Sequence, residues 1–197
     1  MAPSSTPKKW LKGFSKFGTF PGVDSTDSSY SVTGDYSRYD GAYSCAPSDN
    51  KTDWNIPADD DPNWDSGSEW NYTDLEVVVR QQTLEEISTL TGSVIETDGT
   101  GDLLREGTFD LAPEFAATFA ALVSDFTYRA FRYLRCKLMS YSIAHTTRGV
   151  NNDAQNYTLH IRAFPRQIDH FVRETSDMGA ADLDTWLSTA PIELPAG

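Results

Sequence analysis

Hydrophobic and polar positions alternate most regularly between residues 157 and 164. Tyr157, Leu159, Ile161 and Ala163 fall to one side, and Thr158, His160, Arg162 and Phe164 to the other. A period of two marks a half-buried strand. Residues 75–83 form a β-branched run behind turn-rich sequence and predict a second strand, and residues 133–144 predict a third, longer one. Shorter extended segments fall at 93–98, closed by the Asp98-Gly99 turn signal, and at 103–111, where Gly107 marks a bulge position. Residues 146–155 read as a loop, and the apolar stretch near Trp186 and Leu187 as a last strand.

One segment follows a different period. Phe115, Phe119, Leu122, Val123 and Phe126 recur at i, i+4, i+7, i+8 and i+11, a single apolar stripe behind Pro113 and Glu114. Proline suits a first helical position, an acid suits the positive end of the helix dipole, and the intervening alanines favour helix. The spacing predicts a helix over 113–126. Strands, one helix, then strands predict a mainly β chain, an antiparallel β-sandwich with one inserted helix. Its expected core joins Phe115, Phe119, Leu122, Phe126, Tyr157, Leu159 and Ile161.

Composition narrows the function classes. The chain has 197 residues, the size of one ordinary domain, and a formal net charge of −13. That balance argues against a general nucleic-acid binder, which needs clustered Lys and Arg. No apolar run is long enough to span a bilayer, and no basic stretch leading into an apolar one opens the sequence, so no secretory signal is expected. Cys45 and Cys136 make neither a disulfide framework nor a metal cluster.

The charge is unevenly placed. The first 20 residues hold four lysines and no acid, whereas residues 21–76 hold 13 acids against Arg38 and Lys51. Three regions are expected: a basic amphipathic arm over 1–20, an acidic, aromatic-rich extended and irregular segment over 21–74, and a β-sandwich domain over 75–197. In the middle segment Trp54, Trp64 and Trp70 stand singly between turn formers. They read as anchors of an extended segment lying on a partner surface, and the rival reading is a disordered acidic linker.

Residues 107–115 (Gly-Thr-Phe-Asp-Leu-Ala-Pro-Glu-Phe) and 119–135 (Phe-Ala-Ala-Leu-Val-Ser-Asp-Phe-Thr-Tyr-Arg-Ala-Phe-Arg-Tyr-Leu-Arg) carry a resemblance. They resemble the jelly-roll shell domain of coat proteins from small non-enveloped icosahedral RNA viruses, of the picornavirus-like and calicivirus-like kind. The resemblance implies a structural subunit that self-assembles into an icosahedral shell, found in the virion and in host cytoplasm during assembly. Its partners would be copies of itself and other capsid chains. A jelly roll has eight strands and the sequence offers five or six, so the missing strands are expected from another polypeptide. The alternative is a non-viral β-sandwich binding module whose acidic segment recognises a basic partner.

Enzyme chemistry is not expected, because no Gly-x-Ser-x-Gly, His-Glu-x-x-His or phosphate-loop motif occurs. His145 and His160 fall on expected strands, and Cys136 reads as a small buried hydrophobe. Asp59, Asp60, Asp61, Asp65 and Glu69 form the densest carboxylate group, either a solvated acidic loop or a Ca²⁺ site; Ca²⁺ at subunit interfaces is what the resemblance implies. Arg129, Arg132, Arg135 and Lys137 are a basic cluster that either meets the acidic segment of a neighbour, touches RNA or is solvated. Lys8, Lys9, Trp10, Leu11, Lys12, Phe14, Lys16 and Phe17 give an apolar and a basic face at helical spacing. Two uses fit them: an interior arm in contact with packaged RNA, or a membrane-active peptide with transient bilayer contact.

Overall fold

A computed structural model describes residues 10–58, 61–80, 82–108, 110–143 and 156–192. Among them are strands β1 (Leu11–Pro21), β2 (Val23–Ser25), β3 (Tyr30–Val32), β4 (Ser37–Tyr39), β5 (Ala42–Ala58) and β6 (Asp61–Val79). Helix α1 (Leu84–Thr91) precedes β7 (Val94–Thr97), β8 (Asp102–Arg105), β9 (Glu114–Val123), β10 (Tyr128–Ile143), β11 (Tyr157–Phe164) and β12 (Arg173–Met178), and α2 (Ala180–Ser188) follows. The chain is mainly β, as the alternating pattern predicts.

Eight strands form one antiparallel sheet in the order β4-β1-β9-β10-β11-β6-β5, with β12 on β10. The long strand β10 is the corner. Its first half lies between β9 and β12, and its second half pairs with β11. The register shifts between Tyr133 and Cys136, and this bulge reverses which side chains point inward. Tyr133 therefore faces the core from one half, and Cys136 and Leu138 from the other. The two halves fold toward each other, in keeping with a β-sandwich. Phe17, Phe115, Phe119 and Tyr133 of one half meet Leu75, Val77, Leu159 and Ile161 of the other in a single buried cluster.

The other face of the β1-β9-β10 half is also covered. The β2–β3 hairpin brings Tyr30 and Val32 onto Phe20, Ala116 and Leu134, and α2 brings Leu183 and Leu187 onto Ala120 and Ala130. Small side chains at Ala116, Ala120 and Ala130 let these elements approach the sheet. Tyr30 secures the hairpin by donating its hydroxyl to the carbonyl of Leu134 at 2.7 Å.

Several expectations are corrected. Residues 114–123 of the expected helix are strand β9, because both faces of this segment are buried. Phe115 and Phe119 reach the core as expected, but Leu122 is only half-buried. Phe126, expected in the core, is 76% exposed in the β9–β10 turn at a φ of 63°. The expected strand near Trp186 is helix α2, which lays Leu183 and Leu187 on the sheet one helical turn apart. Residues 11–20 of the expected arm belong to β1, held between β4 and β9 inside the sheet. The segment 21–74 is not irregular but holds β2, β3, β4, β5 and most of β6. The eight strands of the main sheet are all supplied by this chain, so the expectation that another polypeptide provides the missing ones does not stand. The expected loop at 146–155, and His145, lie outside the described residues.

Candidate interaction surface

β5 and β6 pair from Ala42 and Val79 at the base to Ala58 and Asp61 at the tip. Only 73–79 of β6 also pair with β11, so beyond Thr73 the two strands form a ribbon with no other strand beside it among the described residues. From Asn50 to Ala58 that is nine residues, or about 30 Å at 3.3 Å per residue. Residues 50–72 hold six acids against Lys51.

The base of the ribbon is anchored. Lys51 Nζ lies 4.6 Å from the centre of the Trp70 ring and the Arg173 guanidinium 4.8 Å from it. Trp70 Nε1 donates to Thr73 Oγ1 at 3.1 Å, and Thr73 donates to Asp49 at 2.8 Å. Asp49 in turn faces Arg173 at 3.6 Å. Trp70 thus packs on its own chain, half-buried beside the main cluster.

Further out the ribbon is exposed on both faces. Trp54 pairs with Gly67 and Ile56 with Asp65, so all four side-chain positions share one face with Glu69, which pairs with Thr52. The Trp54 indole lies across Gly67, where a Cβ would collide with it. Even so Trp54 is 42% exposed and Ile56 48% exposed. This face therefore carries two neighbouring apolar side chains flanked by two carboxylates. The side chain of Trp64 lies outside the described residues.

Of the expected metal group, only Asp65 and Glu69 have described side chains, and these two do not come together. Asp59 and Asp60 lie outside the described residues, as does the side chain of Asp61. Asp65 and Glu69 are four residues apart on one strand, about 13 Å. Ca²⁺–O bonds of about 2.5 Å are too short for one ion to take both. Among the described residues no group of three or more metal-ligating side chains forms.

The three arginines of the basic cluster are engaged within the chain. Arg129 makes a two-pronged bond to Asp177 at 2.7 and 2.9 Å, and Arg135 a two-pronged bond to Glu114 at 2.7 and 2.8 Å. These bonds strengthen the cationic form of both arginines. Arg132 is 4% exposed and reaches Glu174 at 3.1 Å under the end of α2. The three arginines therefore staple β10 to β12, β9 and α2. Sequence spacing groups them but cannot show these partners.

From Leu11 onward the expected amphipathic segment is strand β1 rather than a helix. Lys16, at a φ of 52°, sits in a bulge opposite Ala120, so Phe14 and Phe17 both turn inward although three residues apart. Phe17 is fully buried, and Lys16 pairs with Asp184 of α2. Trp10 and Leu11 remain exposed, and Lys12 Nζ lies 4.7 Å from the centre of the Phe126 ring. Lys8 and Lys9 lie outside the described residues.

Where β1 approaches β5 an apolar cavity of about 350 Å³ opens to solvent. Leu11, Phe14, Cys45, Pro47, Phe119 and Phe131 line it, and Lys12 stands with them. Nothing in the sequence pattern signals this cavity, because its walls come from four separated strands. Burial pushes the Cys45 thiol up to about 12 and raises that of Cys136 as well. Neither is a thiolate near neutral pH.

Comparison with protein-family models and with curated protein sequences returns no match for this chain.

Proposed function

We propose that this chain is a structural subunit that works by self-association, a coat protein of the small non-enveloped RNA virus type that its sequence resembles. The observation that carries this reading is the β5–β6 ribbon. A two-stranded ribbon anchored only at its base is marginal in water, yet this one extends about 30 Å from Asn50 to Ala58 and beyond Trp70 displays Trp54 and Ile56 on one face. Such an arm gains stability by lying on another molecule. The body offers a firm base for it, since the arginines of β10 are tied to acids and carbonyls of their own chain.

The burial of Phe17 in the core of the sheet counts against a membrane peptide. Its insertion into a bilayer would require β1 to leave the middle of the sheet. Lys8 and Lys9 then remain as the groups for packaged RNA.

Sedimentation velocity and negative-stain electron microscopy of the purified full chain test the reading. Closed particles containing many copies are expected. A chain that stays monomeric across concentration and salt overturns it.

A further inference from the structure

The exposed face of the ribbon and the open cavity between β1 and β5 are complementary in chemistry. Trp54 and Ile56 are neighbouring apolar side chains flanked by the carboxylates of Asp65 and Glu69. The cavity is apolar, about 350 Å³, and Lys12, whose ammonium lies over the exposed Phe126 ring, is among the residues that line it. That volume falls within the range of pockets that enclose small organic groups, and an indole is such a group.

The ribbon cannot fill the cavity of its own chain. β5 supplies Cys45 and Pro47 to the cavity wall and then runs on, fully paired, to Trp54. Seven residues of extended strand carry Trp54 about 23 Å beyond Pro47. Returning it would mean breaking the β5–β6 pairing.

We propose that Trp54 and Ile56 of one copy dock into the β1–β5 cavity of a second copy, with Asp65 and Glu69 set against Lys12. This rests on the self-association reading above and names the surfaces that carry it. Each copy has one ribbon and one cavity, so the contact is head-to-tail and propagates into a ring or an extended array. A central aromatic anchor with a charged border is a common layout for a binding hot spot. The charge pairing makes association weaken as salt rises.

Analytical ultracentrifugation of the full chain, with Trp54→Ala and with the double variant Leu11→Glu, Lys12→Glu, tests the proposal. Each variant is expected to associate at least tenfold more weakly than the parent chain, with an unchanged far-ultraviolet circular dichroism spectrum. Ile56→Ser, which leaves the Trp54–Gly67 stack in place, is expected to weaken association in the same direction. Mixing Trp54→Ala with the double variant is the sharper measurement. The first keeps a working cavity and the second a working ribbon, so the mixture should yield a one-to-one dimer that neither forms alone.

If the parent chain assembles and the variants assemble equally well, the docking proposal is overturned while the self-association reading stands. Loss on Trp54→Ala with no effect of the cavity variant also overturns it, because the ribbon then docks elsewhere. A parent chain that never associates overturns both.

Discussion

The guanidinium of Arg132 lies 4.2 Å from the centre of the Trp186 ring and donates to the carbonyl of the same residue at 2.7 Å. It also donates to the carbonyl of Thr189 at 2.6 Å. One buried cation therefore satisfies carbonyls at the end of α2, where the helix dipole is negative, and stacks on that helix's aromatic. Burial lowers the pKa of Arg132, and the neighbouring Glu174 carboxylate opposes that shift.

Arg132→Met should accordingly loosen α2 from the sheet. The change keeps the stem but strips the carbonyls and Glu174 of their donor. Losing one member of a buried pair costs about 3–5 kcal/mol, and the partial hydration of Glu174 places this case at the lower end. Urea denaturation followed by tryptophan fluorescence reads the loss. An unchanged midpoint would show that water replaces the guanidinium freely.

Phe119 and Phe126 offer a direct contrast. Phe119 lies 4.9 Å from Phe131, 5.7 Å from Phe14 and 6.0 Å from Tyr133, centre to centre. Phe119→Ala should cost about 3–5 kcal/mol. Phe126→Ala, in an exposed turn, should stay within about 0.5 kcal/mol. A helix over 113–126 would bury both rings and make the two costs similar, so equal losses would restore that reading.

These two residues also show why β9 is hard to read. The inward set Phe115, Ala117 and Phe119 alternates with Ala116, Thr118 and Ala120, which are buried on the other face. With no wet face the segment has no period of two, and its phenylalanines happen to match a helical stripe. β11 is legible because one of its sides is wetter. β1 is hidden by its bulge, which puts Phe14 and Phe17 on one face at a spacing of three. α1 did have a signal: Thr83 and Glu86 form a reciprocal capping box, the Thr-x-x-Glu pattern that opens many helices. The outer ribbon is illegible for the opposite reason to β9, since both its faces are wet.

Gly18 lies under the ring of Tyr36, which also packs at 5.2 Å on Phe20. A Cβ at this position would overlap the Tyr36 ring. Gly18→Ala should therefore cost about 1–3 kcal/mol through overpacking, against the small change typical of an open strand position. Thermal melting of Gly18→Ala beside Gly13→Ala checks this, because a Cβ at Gly13 meets open space. Equal melting temperatures would mean that Tyr36 moves aside without cost.

Alkaline pH should unfold the domain before its peptide chemistry fails. Burial pushes Tyr39 up to about 12, partly offset by its hydrogen bond with Thr19. Burial likewise pushes Tyr133 up to about 12, partly offset by Arg173. Both phenols ordinarily titrate near 10. The folded state thus holds its protons over an interval in which the unfolded chain has released them. Stability from these groups is complete below pH 10 and is lost as pH rises toward 12, at about 1.4 kcal/mol per pH unit for each group. Urea midpoints measured between pH 8 and pH 11 should be level to about pH 9 and then fall. Tyr39→Phe has no proton to lose at that position, so its midpoint should fall less steeply. Parallel pH profiles for the parent chain and Tyr39→Phe would show that the buried Tyr39 hydroxyl does not resist ionisation.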